Sequence, residues 1–320
     1  MVGGGSAAAL GVFVIADRQN SPEILNLARA MTSAHQRVQR WEGARLLASV
    51  LVALTSVAAT LAPRLATVVA GIGAGWALCN GVGVSTWIQS GVARAALLQE
   101  LFDVTLFRMQ WNAVAAGDPP LPAEVSRMAR AYRSSDADIV DYYEIRDFRD
   151  LPAPFDVLAC QIQNLHWGTR IRQRFAGLVL ALVIGWPMAG VLVGTLTSMP
   201  LDRLLLIWFL PALGALIMAS DLYRRQRDTA ATRARVLGLV HRRITDHLAR
   251  PGAPGDLVML TRQVQDSIFA SRRAQARVPD WFFRRFRLQD RVDFQREMAE
   301  LADAVERVYP RPAQPTTSSP

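Results

Sequence analysis

Histidines and cysteines are the first side chains to weigh for metal or nucleophilic chemistry, and this sequence has few: His35, His166, His241, His247, Cys79 and Cys160. His241 and His247 are six residues apart, about 240° around a helix, so they share no face that could hold a metal. The cysteine spacing gives neither a zinc motif nor a disulfide framework. Cys79 lies in an apolar run, where a thiol behaves as a small apolar residue. All 36 basic residues are arginine, which excludes Schiff-base and lysine-nucleophile chemistry. Gly3-Gly4-Gly5 has no strand before it and no GKS/T after it, so it is no phosphate loop. With no acid/base pair, triad or metal set to nominate, the expectation is a non-enzymatic protein with no catalytic residue, no metal and no cofactor.

What the sequence does concentrate is guanidinium. The formal charge is +9 and the isoelectric point about 10.7, which points to an anionic partner or surface. Arg224, Arg225 and Arg227 follow the last apolar block directly, where they suit anionic lipid headgroups. Arg272, Arg273, Arg277, Arg284, Arg285 and Arg287 surround Trp281, Phe282 and Phe283. Cations beside aromatic platforms suit nucleotide phosphates and bases. They suit an amphipathic membrane-surface segment equally, and helix packing is the third reading.

These residues are set among four stretches without a formal charge: Leu46–Ala62, Leu65–Ala93, Phe175–Leu201 and Leu204–Ser220. A helix crosses a bilayer core with about 17–25 residues, and a soluble core helix would place charges along one face. The blocks therefore predict an all-α membrane protein with four spans. Pro63-Arg64 and Asp202-Arg203 break them into two tight helical hairpins. Five arginines precede the first span, ten separate the hairpins and nineteen follow the last. That asymmetry places both termini and the central segment in the cytoplasm. The expected organisation is a cytoplasmic N-terminal helix (1–45), a first hairpin (46–93), a central helical domain (94–174), a second hairpin (175–220), a basic helical region (221–308) and a disordered tail (309–320).

Ser21-Pro22-Glu23 is a helix start, and the helix it opens is expected to run on into the first span. Breaks are expected at Gly117–Pro122, Leu151–Pro154 and Pro251–Gly255. Within the spans, Gly71-x-x-x-Gly75 and Gly190-x-x-x-Gly194 allow close helix approach, within one chain or between subunits. Asn80, the most polar residue deep in a span, either joins neighbouring helices or faces a lumen. No ionisable residue sits mid-span, which disfavours an ion-coupled transporter.

A series of polar and aromatic motifs runs between the spans. Gln19-Asn20 follows Arg18; Glu100, Phe102 and Asp103 follow the second block; Trp111-Asn112 comes next. Then come Asp141-Tyr142-Tyr143, the run from Cys160 through Gln161, Asn164 and Trp167, and Ile171-Arg172 before the third block. In this order and placement, residues 17–225 resemble the SMODS-associated four-transmembrane family of pore-forming effectors. The family pattern has tryptophan at 142, arginine at 162 and an acid at 168, where this chain has Tyr142, Ile162 and Gly168. The resemblance implies a bacterial inner-membrane effector of anti-phage defence, a homo-oligomer acting downstream of a cGAS-like nucleotidyltransferase. A cyclic oligonucleotide would trigger disruption of the lipid bilayer. The competing expectation is a non-conducting anchor that recruits a soluble partner through its basic region. The motif residues are expected to be structural: Glu100 and Asp103 pair with Arg170 or Arg172, while Trp111, Tyr143 and Trp167 fill the core.

Overall fold

The computed structural model describes residues 15–145, 151–252, 254–274 and 278–310. Gly3-Gly4-Gly5 and Arg277 lie outside them, as does the tail from 311, and the side chain of Arg287 is outside the described set. Among the described residues there are helices and no strands. In order these are α1 (Ile15–Arg18), α2 (Pro22–Leu61), α3 (Ala66–Cys79), α4 (Ser85–Phe107), α5 (Ala113–Ala116), α6 (Pro122–Arg130), α7 (Phe155–Leu196), α8 (Leu201–Leu204), α9 (Leu210–Ala249), α10 (Pro254–Ala274) and α11 (Asp280–Val308).

The helix boundaries follow local chemistry. Pro22 opens α2 at the position where its missing N–H costs nothing. That helix runs on without interruption into the first apolar block. The expected breaks separate α5 from α6, precede α7, and separate α9 from α10. The expectation of helix across 94–174 fails at 131–145, which contains only a single helical turn, Asp136–Asp138. At the end of this stretch Gln19 and Asn20 supply the partners of the Asp141 N–H and of both Tyr143 backbone groups.

Three described helices are long and apolar enough to cross a membrane: Ala66–Phe107, Phe155–Leu196 and Leu201–Ala249. The remaining expected block, Leu46–Ala62, is the C-terminal part of α2, which is not one of these three; several of its side chains lie outside the described set. Large apolar side chains in these blocks face outward, among them Leu51, Val68, Leu78, Leu182, Met188, Leu196 and Ile217. An apolar exterior of this extent is foreign to a water-soluble monomer.

Two of the three apolar helices contain one widened, π-helical turn. One is Asn80–Val84, which links α3 to α4. The other is Leu205–Phe209, which leads into Pro211 near the start of α9. Proline cannot donate to the carbonyl four residues back and clashes with it, so the turn before it opens. The second chain reversal lies at Thr197–Pro200, with Ser198 at positive φ. Asp202 and Arg203 were expected to form that break, and instead they lie in the first turn of α8.

The long helices pack α2 on α3, α4 and α9, and α7 along α9. Gly73 lies against the Pro211 backbone, so that an added Cβ would fall onto it; at Gly214 a Cβ would lie 2.9 Å from that of Ala77. Gly190 admits the Trp208 ring and Gly194 the side chain of Leu204, at 2.5 and 2.9 Å from their built Cβ positions. By contrast, no described atom lies within 4 Å of a Cβ built on Gly71 or Gly75. The second glycine pair therefore serves packing within the chain, and the first lies on an open face. Gly73→Ala is expected to cost about 1–3 kcal/mol through overpacking, while Gly71→Ala is neutral or mildly stabilising. Thermal unfolding of the detergent-solubilised variants checks this contrast.

Below the apolar blocks a single core draws on α2, α4, α7, α9, α10 and α11, with Met31, Leu98, Phe102, Leu158, Val264 and Phe294 among its buried members. The central segment 94–174 and the basic region 221–308 thus share one interior.

Candidate functional site

Gln19 and Asn20 act together on one loop. Gln19 donates to the Tyr143 carbonyl (3.2 Å) and accepts from its N–H (2.9 Å). Asn20 donates to the Asp141 carboxylate (2.8 Å) and accepts from the Asp141 N–H (3.0 Å). Two side chains at the mouth of α2 therefore fix the backbone of 141–143. Tyr143, buried within the core, donates its hydroxyl to Asp103 at 2.7 Å. Phe102 packs edge-on to Tyr142, with ring centroids 5.2 Å apart.

Asp103 and Glu100 pair with Arg272 (2.5 Å) and Arg262 (2.7 Å) of α10, correcting the expected pairing with Arg170 or Arg172. Gln265 donates to both carboxylates at 3.0 and 2.8 Å. The reason is packing: α10 lies on α4 in the core. Arg170 instead pairs with Asp293, and Arg172 donates to Gln226 at 2.6 Å. Gln161 extends the network, donating to the Thr261 carbonyl (2.8 Å) and to Gln265 (3.3 Å). Asn112 caps α5 and donates to Asp266 at 2.9 Å. Trp111 is half-buried and donates to the Gly117 carbonyl at 2.7 Å; it lies outside the core it was expected to fill.

The loop held by Gln19 and Asn20 forms one wall of a cavity of about 290 Å³. Its lining includes His35 from α2, Gln99 from α4, Tyr142 and Tyr143 from the loop, and Gln163, Asn164, Trp167 and Arg172 from α7. Arg233 comes from α9, Arg272 from α10, and Asp280 and Phe283 from α11. His35 and Gln99 are hydrogen-bonded at 2.9 Å, and Gln99 donates to the Tyr142 hydroxyl at 2.9 Å. Arg233 donates to the carbonyl and side chain of Asn164 at 3.0 and 3.2 Å. Its guanidinium lies against Gly168, in space that the Cβ of any other residue would take. Ile162, the other departure from the family pattern, is fully buried apolar core.

Three arginines, three acids (Asp138, Asp141 and Asp280) and a set of aromatic rings thus share one cavity. Burial lowers the Arg272 pKa, but Asp103 outweighs it and holds the guanidinium above its usual value. Arg272 Nη2 and Trp167 Nε1 are buried donors with no hydrogen-bond partner among the described residues. An unmet buried donor costs about 1–3 kcal/mol; it is the three arginines and the aromatic rings lining the cavity, not these enclosed atoms, that suit an acceptor-rich ligand.

Gln163, within the Cys160–Trp167 motif run, accepts from the Glu144 N–H (2.8 Å); sequence reasoning missed Arg233 and Gln226 on α9. It also missed Arg262 and Gln265 on α10. A signal existed: Glu100 and Asp103 are one helical turn apart and need cations, which Arg262 and Arg272 supply.

A second cluster joins α7, α9 and α11. Glu297 lies within ion-pair distance of His166 Nδ1 (2.8 Å) and His241 Nε2 (2.7 Å), a convergence that sequence spacing did not disclose. Burial raises the Glu297 pKa, and the two imidazoles more than offset it, leaving it at about 2. Because the folded value lies below the ordinary 4.5, its contribution to stability is complete above about pH 4.5. That contribution disappears as the pH falls towards 2. Unfolding midpoints measured between pH 2 and 6 should fall less steeply with acidification for Glu297→Gln than for the parent.

The remaining predicted residues are dispersed. Asn80 is buried at the widened turn of the second apolar block, and its Oδ1 has no partner among the described residues. Arg224, Arg225 and Arg227 are exposed after the last block; Arg225 pairs with Asp221 at 2.8 Å and Arg227 stands 6.0 Å from the Tyr223 ring. Arg284 and Arg285 are exposed on α11. Tyr309, expected to begin the disordered tail, is docked through its hydroxyl, 2.9 Å from His247 Nε2.

No solved structure matches the chain. It is similar to a protein described as a probable CBASS effector molecule from Bacillus cereus (strain VD146), with 21% identity over 83% of this chain and 91% of that protein. The model of the SMODS-associating 4TM effector domain matches residues 14–301. With helices of membrane-crossing length continuous with a motif-lined cavity, and that match spanning nearly all of the described residues, the chain belongs to the SMODS-associating 4TM effector family.

Proposed function

We propose that this protein is a non-enzymatic membrane effector of cyclic-oligonucleotide-based anti-phage defence, with a cavity that receives the trigger and apolar helices that disrupt the inner membrane. One observation carries the reading: α7 lines the cavity with Gln163, Asn164, Trp167 and Arg172 and continues unbroken into its apolar block. The helices α2 and α9 likewise run from the cavity into apolar sequence. A ligand that repositions these helix ends moves the segments in lipid, because a helix transmits displacement along its axis.

In this reading four spans form two hairpins, both termini and the cavity are cytoplasmic, and a cGAS-like nucleotidyltransferase supplies the ligand. Arginines and aromatic rings suit its phosphates and bases. The open Gly71-x-x-x-Gly75 face would bring copies together into a homo-oligomer. The trigger acts by binding the conducting arrangement more tightly than the resting one. The comparison with a probable CBASS effector supports the signalling context.

The test is dye release from liposomes containing the full-length protein, challenged with a panel of cyclic di- and trinucleotides. Release with one of them and none without nucleotide is expected. Constant release would overturn the gating, and no release with any nucleotide would overturn the pore. In the latter case co-purification of a soluble partner would favour the non-conducting anchor.

A further inference from the structure

The first turns of α11 divide into two faces. Phe282 is buried, its ring 5.3 Å from that of Phe175, in a cluster with Ile171, Val179 and Val278. Ala219 and Leu222 of α9 pack against the same cluster. Phe175 opens the third apolar block, and the fourth ends at Ser220. The start of α11 is thereby held at the depth where both helices leave their uncharged sequence. On its other face, at i, i+3 and i+4, stand Trp281, 64% exposed, and the exposed Arg284 and Arg285.

Trp281 also borders a cleft of about 370 Å³ with Leu46, which opens the first block, and with Arg40, Arg45 and Leu222. Two further exposed tryptophans meet edge-on at 4.6 Å: Trp41, just before the first block, and Trp87, within the last two turns of the second. Arg224 and Arg225 are exposed immediately after Leu222 and Tyr223 of the Phe282 cluster. Exposed indoles at the ends of apolar helices, surrounded by guanidinium groups, match the chemistry of the bilayer–water boundary.

We infer that the start of α11 is an interfacial foot: Trp281 inserts among headgroups while Arg284 and Arg285 bind the phosphates of anionic lipid. It rests on the membrane reading above. The foot also bears on the cavity, because its neighbours Asp280 and Phe283 form part of the cavity wall. Gln39 of α2 holds the same turn through the Asp280 carboxylate at 3.1 Å. One wall of the cavity is then fixed to the membrane surface rather than to a span.

The experiment uses the full-length chain with Cys79→Ala and Cys160→Ala, carrying Trp281→Cys labelled with bimane. The vesicles are phosphatidylcholine with or without phosphatidylglycerol, doped with a lipid spin-labelled near its headgroup. Quenching by that lipid is expected in the anionic vesicles. Arg284→Gln and Arg285→Gln should each weaken the contact about fivefold, as omission of phosphatidylglycerol should. Quenching only by aqueous iodide, the same in every vesicle, would overturn the foot. Bimane self-quenching that rises with protein density and ignores lipid composition would overturn it too, in favour of a contact between copies. A protein that fails to float with the vesicles sinks the membrane reading itself, and floating separates the two failures.

Discussion

Asp103→Ala is expected to destabilise the protein by about 3–5 kcal/mol, the cost of stranding a buried charge. Asp103 has no exposed surface and accepts from Tyr143, Gln265 and Arg272 at 2.7, 3.0 and 2.5 Å. Its loss leaves the Arg272 guanidinium unneutralised in the core and frees the loop that walls the cavity. Thermal unfolding in detergent of Asp103→Ala, Arg272→Met and the double variant provides the measurement. The double variant should be more stable than Asp103→Ala, because removing both charges also removes the stranded one. Additive single effects would show that the two side chains act independently, against the geometry.

Arg233→Gln is expected to raise the nucleotide concentration needed for dye release by about ten- to a hundredfold, the value of a hydrogen bond to a charged group. The side chain is buried, lines the cavity and is held there by Asn164. Arg235, two residues on, is exposed and does not line it, so Arg235→Gln should leave the threshold unchanged. Equal effects of the two substitutions would mean that general positive charge, not the cavity, sets the response. Melting curves of both variants separate a binding effect from loss of fold.

These two residues mark how far the sequence could be read. Asp103 was recognisable as a motif residue, and one helical turn from Glu100 it plainly needed a cation. Which cation could not be read, because Arg170, Arg172, Arg262 and Arg272 are chemically identical choices separated by long stretches of chain. Arg233 gave no local signal, being one arginine among the nineteen that follow the last block. Its importance arises where α9 crosses α7 at Gly168. The same holds for His166 and His241, which lie on different helices and meet only because Glu297 of α11 reaches both.

The sequence by itself determined the helical class, the start of α2, the Pro/Gly interruptions, and the segments with too little charge to form a water-facing surface. Each is a matter of near-neighbour chemistry: ring constraints, caps and unbroken apolar runs act within a few residues. Only the tertiary structure decided which glycine pair packs and which stays open, which arginine neutralises which acid, and that residues from six helices and a loop enclose one cavity. Those outcomes depend on the rotation and depth at which whole helices meet, quantities set by the joint packing of the core and not by any segment of the chain alone.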